Sequence, residues 1–516
     1  MADFTFTELT PTSFLERSAQ VYADRTALVD GDLRLTYGEL AGRCRALTGV
    51  LADLGVGPGD RVAVLASNSH VQLEMHHAVP LRGAVLVPIN IRLSPAEVGY
   101  ILEHAGASLL VVSVEYVELG TRVAAAAGVP LLVEGPDYES RIAGARPAVM
   151  PLADERSLLG INYTSGTTGR PKGVMTHHRG AYLQSLSLLV HGRMDSSSTY
   201  LWTLPMFHCN GWCLTWGVTA VGGTHVCLRA IDPERIWSLL RTEGVTHFSA
   251  APTVLTMIAA ASGADGPALT QRVAVQTGGS PPSPTLLARL DRLGMDVTHL
   301  YGLTETFGPI GINEWQPAWD AFDADAKSRL RARQGVGNVI AEPLRVADDR
   351  GIDVPRDGAT VGEILARGND LMLGYYRDDE ATAAVTLAGW FRTGDLAVHH
   401  PDGYVEIRDR AKDIIISGGE NIASVEVERA IDSHPDVVES AVVGVPDERW
   451  GEVPVAFVTV RNGSTLTGEE VVAHVREHLA GFKVPRRVLF AELPKTSTGK
   501  IQKQVLRETA VAEVTS

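Results

Sequence analysis

Through the first 250 residues, capped amphipathic stretches alternate with short apolar runs, and this alternation restricts the chain to sheets covered by helices. Thr36 and Glu39 form a capping box, and Leu40, Cys44, Leu47, Leu51 and Leu54 follow at steps of four and three until Gly55 closes the helix. Apolar strands are expected at Arg61–Leu65 and over 83–89. A second helix opens at Ser94, Pro95 and Glu97 with Val98, Ile101 and Leu102 facing inward, and a strand over 108–112 comes next. Asp232 and Pro233 open a further helix, which Gly244 ends before a strand over 245–250. The expected fold is α/β.

The pattern changes near residue 408. Asp409-Arg410-Ala411-Lys412-Asp413 is a dense charge cluster, and beyond it lies about a hundred residues with their own α+β pattern. That pattern has a helix after Ser424, strands around 437–443 and 454–460, and a capped helix starting at Thr467. A large N-terminal domain over 1–408 and a small C-terminal domain over 409–516 are expected, with a hinge at 409–412.

Charge and cysteine usage exclude several classes. The net charge of −15 argues against a bulk electrostatic grip on nucleic acid or an anionic membrane, while leaving a local pocket for a small anion open. Four cysteines in 516 residues, with no C-x-x-C pair, indicate a reducing compartment, so a cytoplasmic location is expected. The spacing of His208, Cys209, Cys213, His225 and Cys227 fits no zinc pattern. Residues 196–228 carry no Asp, Glu, Lys or Arg, but Pro205, His208, Asn210, His225 and several glycines interrupt them. They read as buried strand and loop, and no integral membrane segment is expected. The N-terminus lacks the basic start of an export signal, and Glu-Val-Thr-Ser at the C-terminus matches no peroxisomal signal.

Chemistry concentrates in Tyr163-Thr-Ser-Gly-Thr-Thr-Gly-Arg-Pro-Lys-Gly-Val174, after an apolar strand over 158–162. Its hydroxyl residues sit among glycines ahead of Lys172, so N–H and O–H donors can wrap a polyphosphate. It is not a Walker A loop, because Pro171-Lys172-Gly173-Val174 reads as a turn returning into a strand. The segment resembles the signature loop of the adenylate-forming enzymes, which include acyl-CoA synthetases. Five further segments resemble that family's motifs in order: 204–212 bearing His208, 278–281, Tyr301-Gly-Leu-Thr-Glu-Thr306, Trp390-Phe-Arg-Thr-Gly-Asp395, and 409–419. A seventh, Pro494-Lys-Thr-Ser-Thr-Gly-Lys500, completes the set. The likeness runs from about residue 10 to 507.

The resemblance implies a fold, substrates and roles. The fold is a large domain of helix-covered sheets with a small mobile C-terminal domain. The substrates are ATP, a carboxylic acid and CoA, with Mg²⁺ as the metal. The polyphosphate would lie on Thr164, Ser165, Gly166, Thr167, Thr168, Gly169 and Lys172. Thr164 and Glu305 would hold Mg²⁺, and Thr304 would reach the α-phosphate. Tyr301 and Gly302 would lie on the adenine against Gly279, Ser280 and Pro281, and Asp395 would take the ribose hydroxyls. Arg410 would reach the nucleotide from its far side, and Lys500 would bridge the attacking carboxylate and the phosphate. Lys412 would be the hinge residue, with Gly418 and Gly419 on the pantetheine side. His208, Trp212 and Gly278 would form the acyl pocket.

The family implies two half-reactions: adenylation with release of pyrophosphate, then acyl transfer to CoA. Cys209, Asn210, Gly211 and Trp212 offer no carboxylate to hold an ammonium, so a small or medium aliphatic or aryl acid is favoured over an amino acid. Ile416 stands where some relatives carry a lysine. Transfer to a carrier protein or another nucleophile is the alternative, and a homodimer is left open.

Overall fold

The computed structural model describes residues 5–164, 171–279, 282, 284–410, 412–417, 420–447, 449–461, 463–496 and 501–515. Two compact units emerge from its packing. The first comprises 1–331, 337–343 and 367–391, and the second comprises 332–336, 344–366 and 392–516.

Two sheets build the first unit. In one, Leu131–Val133, Ala107–Val112, Arg61–Leu65, Val85–Pro88 and Leu158–Thr164 run parallel. The antiparallel strands Lys172–His177 and Gly374–Tyr375 complete it. The other has a parallel centre running through Met295–Leu303, Val273–Thr277, His247–Ser249, Thr199–Leu201, Thr224–Val226 and Thr26–Asp30. Its antiparallel neighbours are Gly308–Ile312 at one side and Leu33–Thr36 at the other.

The expected helices form where their caps lie. Tyr37–Asp53, Pro95–Ala105 and Pro233–Thr242 begin at Thr36, Ser94 and Asp232, each of whose side chains accepts backbone N–H bonds of the first turn. Strand ends differ from the apolar runs because ladder partners decide them. Expected over 83–89, the strand spans Val85–Pro88, the part paired with residues 61–64. Expected over 158–162, another reaches Thr164 because Gly173 and Lys172 continue the ladder opposite Tyr163 and Thr164. Residues 196–228, read as strand and loop, also hold the buried helix Leu214–Val221. Its run carries no charged residue and residues 214–219 are all buried, so no alternation of apolar and charged positions betrays it.

The second unit holds two sheets among its described residues. Arg345–Ala347, Val361–Ala366, residues 392–399 and Val405–Arg410 make one. Glu420–Ile422, Ile415–Ser417, Gly451–Val460, Val437–Asp447 and Arg487–Phe490 make the other. Ile415, Ile431, Val442, Ala456, Val471 and Val475 sit in its core. Packing therefore groups residues 392–408 with the C-terminal ones, whereas charge marks 409–412. A compact unit and a rotation point need not share a boundary.

Four buried imidazoles make the first unit acid-sensitive. Burial pushes His76 and His178 down to about 4, and His77 and His225 down to about 3. The His225 tautomer follows from its partners. Trp202 Nε1–H can only donate, so His225 Nδ1 accepts at 3.1 Å. Nε2 therefore carries the proton toward Thr219 Oγ1 at 3.0 Å. In the unfolded chain these groups titrate near 6.5. Their stabilising effect is complete above that pH and declines as pH falls through 6.5 toward 4, by roughly 1.4 kcal/mol per group per pH unit. Asp370, pushed up to about 7 by burial, works in the opposite direction but is outnumbered. Urea midpoints followed by tryptophan fluorescence should be clearly lower at pH 5 than at pH 7. A midpoint that holds steady or rises would contradict this.

Candidate active site

The strand Leu158–Thr164 carries Thr164 at its end, directly opposite Lys172 on the returning strand. On Lys172's other flank lies Tyr375, whose strand pairs with Val174. The Lys172 ammonium stands 4.8 Å from the centre of the Tyr375 ring. The Tyr375 hydroxyl donates to Glu305 Oε1 at 2.7 Å. Glu305 is further tied by its backbone, whose carbonyl accepts from Met372 N–H at 2.8 Å. Burial, then the neighbouring carboxylate, pushes the Tyr375 phenol well above its ordinary value, so it remains a donor. Thr164, Lys172, Tyr375 and Glu305 thus form one polar cluster.

Glu305 belongs to the short turn Thr304–Thr306 between the strands Met295–Leu303 and Gly308–Ile312. Thr306 fixes that turn, accepting from Leu303 N–H at 2.9 Å and donating to the Gly308 carbonyl at 2.7 Å. Tyr301 is buried on the first strand. Behind the turn, Gln184 Nε2 and Asn338 Nδ2 both donate to the Pro309 carbonyl, at 2.7 and 2.9 Å. Asn338 Nδ2 also reaches Asp370 Oδ2 at 3.1 Å.

Across the turn lies a chain reversal of unusual hand. Cys209, Asn210, Gly211, Trp212 and Cys213 all have φ between 42° and 61°. Left-handed backbone costs roughly 1–2 kcal/mol per non-glycine residue, so the surroundings must hold this turn in place. Cys213 N–H bonds the Asn210 carbonyl at 3.1 Å, and Asn162 Nδ2 anchors the Phe207 carbonyl at 3.2 Å. The reversal directs Cys209 Sγ toward Thr304 Oγ1 at 3.7 Å, with His208 Nε2 3.9 Å from the sulfur. Burial pushes the Cys209 thiol up to about 12, so it is a neutral neighbour and not a nucleophile. The Trp212 ring lies against Gly278, where an added Cβ would meet the ring at 3.3 Å and the Leu300 carbonyl at 3.1 Å. A side chain there would crowd both neighbours.

The second unit holds another group. Asp395 is buried beside Arg410, its cross-strand partner, with Arg410 Nε 3.2 Å from Asp395 Oδ1. The strand just before Asp395 is held by Glu363, which accepts from Gly394 N–H at 2.9 Å and from Arg392 Nε at 2.8 Å. Asp409 accepts from Arg410 N–H at 2.7 Å and from Ser424 Oγ at 2.7 Å. Lys503 pairs with Glu428 at 2.7 Å and donates to Ser424 Oγ at 2.6 Å. Arg507 pairs with Asp413 at 3.2 Å. Lys412 is exposed on the turn after the strand Val405–Arg410.

Thr164, Lys172, His208, Trp212, Gly278, Gly279, Tyr301, Gly302, Thr304 and Glu305 all fall in the first unit, and Asp395, Arg410 and Lys412 fall in the second. Ser165, Gly166, Thr167, Thr168, Gly169, Ser280, Pro281, Gly418, Gly419 and Lys500 lie outside the described residues. Sequence reasoning missed Tyr375, Cys209 and the Asn338–Asp370 support. No spacing rule ties residue 375 to residue 305.

Glu305 and Thr164 offer hard oxygen donors, and among the described residues no group of three or more His, Cys, Asp or Glu converges as a metal cluster. One carboxylate with a hydroxyl suits Mg²⁺, which takes its remaining ligands from water and substrate phosphates.

The AMP-binding enzyme family model matches residues 15–376, and the model of the AMP-binding enzyme C-terminal domain matches residues 426–500. The peroxisomal acetate/butyrate–CoA ligase of Arabidopsis thaliana is 42% identical, over 98% of this chain and 95% of its own. The peroxisomal trans-cinnamate:CoA ligase of Petunia hybrida is 41% identical, over 98% and 94%. The crystal structure of ATP-bound MatB from Rhodopseudomonas palustris superposes with a TM-score of 0.85 at 29% identity, over 97% of this chain and 99% of that one.

Proposed function

This chain belongs to the AMP-binding enzyme family, and from that premise we propose that it joins a short aliphatic or an aryl carboxylic acid to CoA at the expense of ATP. The reaction class is that of an AMP-forming acid–thiol ligase, with ATP, Mg²⁺ and CoA as its requirements. A carboxylate oxygen attacks the α-phosphorus and pyrophosphate leaves. The CoA sulfur, its proton lost, then attacks the acyl carbon and AMP leaves.

The observation that carries the residue assignment is the Thr164–Lys172–Tyr375–Glu305 cluster, set beside the Thr304, His208 and Trp212 side of the same unit. A loose phosphoryl transition state needs cationic and hydrogen-bonding groups placed in advance, and this cluster supplies them. When bound, Mg²⁺ would offset the negative charge of the phosphates. Thr164 and Glu305 would hold it, with Tyr375 orienting the carboxylate. Lys172 would sit on the phosphates, Tyr301 on the adenine and Asp395 on the ribose. The Asp395–Arg410 pair would give way when the nucleotide hydroxyls compete for the carboxylate. Trp212 against Gly278 favours a short or flat acyl group. The domains 1–408 and 409–516, with rotation at Lys412, remain part of this proposal, as does a cytoplasmic location. All four cysteines are free and buried, and among the described residues no helix is long and apolar enough to cross a membrane.

A panel of acids with MgATP, with and without CoA, read by mass for acyl-AMP and acyl-CoA, tests the reading. Butyrate and cinnamate should yield acyl-CoA, and long-chain acids should yield little. Glu305→Gln should raise the Mg²⁺ concentration needed for half-maximal acyl-AMP formation, because an amide is the poorer ligand. An unchanged Mg²⁺ requirement would remove Glu305 from the metal site.

A further inference from the structure

Both described ends of the 165–170 segment are fastened to the same helix, Pro95–Ala105, by a cluster of rings that the proposed chemistry does not use. At one end, the Tyr163 hydroxyl and His104 Nδ1 share a hydrogen bond of 2.8 Å, and the two rings meet edge to face at 5.7 Å. At the other end, the Tyr100 hydroxyl donates to the Pro171 carbonyl at 3.4 Å. The Tyr100 and His104 rings stack at 5.3 Å, which links the two attachments. Tyr376 closes the cluster, its ring edge-on to His104 at 5.8 Å and its N–H bonded to the Gly173 carbonyl at 2.7 Å. Arg377 then donates to the His104 carbonyl at 3.3 Å and lies over the Tyr376 ring at 5.0 Å.

We propose that Tyr100, His104, Tyr163 and Tyr376 are positioning residues for MgATP: they fix the strand ends that carry Thr164 and Lys172, and so where these two residues meet the polyphosphate. The proposal rests on the reading of 164–172 as the phosphate-binding segment. Hydrogen bonds and ring packing at Tyr163 and Pro171 hold their neighbours Thr164 and Lys172 in place, so those two groups need less ordering when the nucleotide binds. Thr164 and Lys172, which face each other across the ladder, are the first residues inside the brace.

Tyr163→Phe keeps the ring and removes one bond, and His104→Ala removes the bond and the stack. In steady-state pyrophosphate exchange both should raise KM for MgATP about 3- to 10-fold, with KM for the acid nearly unchanged. His104→Asn, whose amide can occupy the place of Nδ1, should recover most of the loss. Thioester formation from preformed acyl-AMP should proceed at its normal rate in all three. An unchanged KM for MgATP, an equal loss in both half-reactions, or a lower thermal midpoint with normal kinetics would overturn the proposal. Lys172→Ala separates the two levels. If it raises KM for MgATP while the ring variants do not, the brace fails alone. If it too leaves KM unchanged, the phosphate-segment reading fails and the brace falls with it.

Discussion

Lys500→Ala should slow acyl-AMP formation by ~10²–10³, about 3–4 kcal/mol of transition-state stabilisation, which is the usual cost of losing one preorganised donor at a charge-developing centre. The incoming carboxylate and the α-phosphate repel each other, and a single ammonium facing both would offset that repulsion where the new bond forms. Flanking residues are firmly held: Lys495 pairs with Ile501 as an isolated bridge, and the Lys495 ammonium reaches Glu439 at 2.6 Å. The helix Lys503–Thr515 follows, tied through Lys503 to Glu428. Supplied with synthetic acyl-AMP and CoA, the variant should form acyl-CoA at close to the normal rate. ATP affinity should change little. Single-turnover measurement of each half decides the matter, and an equal loss in both halves of a folded protein would end the assignment.

Gly302→Ala should be strongly disruptive. An alanine Cβ there would lie 2.1 Å from the Gly308 carbonyl oxygen and 2.8 Å from Pro309 Cα. Both are backbone atoms of the facing strand, so no side-chain rotation relieves the overlap. The strands must separate between Tyr301 and the turn carrying Thr304 and Glu305. Gln184 and Asn338 hold Pro309 from behind and resist that movement. A loss of about 3 kcal/mol in stability is expected, the upper end for overpacking. A displacement of ~1 Å at Thr304 and Glu305 should also reduce adenylation by ~10²-fold. Thermal denaturation and acyl-AMP formation at saturating ATP measure the two effects. A normal midpoint with full activity would show that the strands are not in this contact.

The parts of the molecule that could be read in advance are those governed by short-range rules. The helices after Thr36, Ser94, Asp232 and Thr467 start where a side chain can cap them. The order of the motifs likewise indicated the family, which the matches over 15–376 and 426–500 bear out. What escaped depends on contacts between distant segments. Tyr375 meets Glu305 across 70 residues of sequence, and His104 meets Tyr163 across 59. The helix Leu214–Val221 escaped for another reason: a segment buried on all sides carries no periodic signal. The hand of the turn at 209–213 was also hidden, because Cys-Asn-Gly-Trp-Cys contains only two residues that favour positive φ.

That turn also bears on how such an enzyme can diverge. Along 209–213 the backbone accepts Gly and Asn readily, unbranched residues at a cost, and Val, Ile or Thr hardly at all. Most nucleotide changes in this stretch will therefore be removed for their effect on folding before their effect on acid preference is ever expressed. At Gly278 a larger residue would press on the Leu300 carbonyl and the Trp212 ring. Inherited variation in the choice of acid is thereby channelled into the few side chains that can change size without changing the path of the chain, and lineages that differ in substrate should share the backbone of this corner almost unaltered.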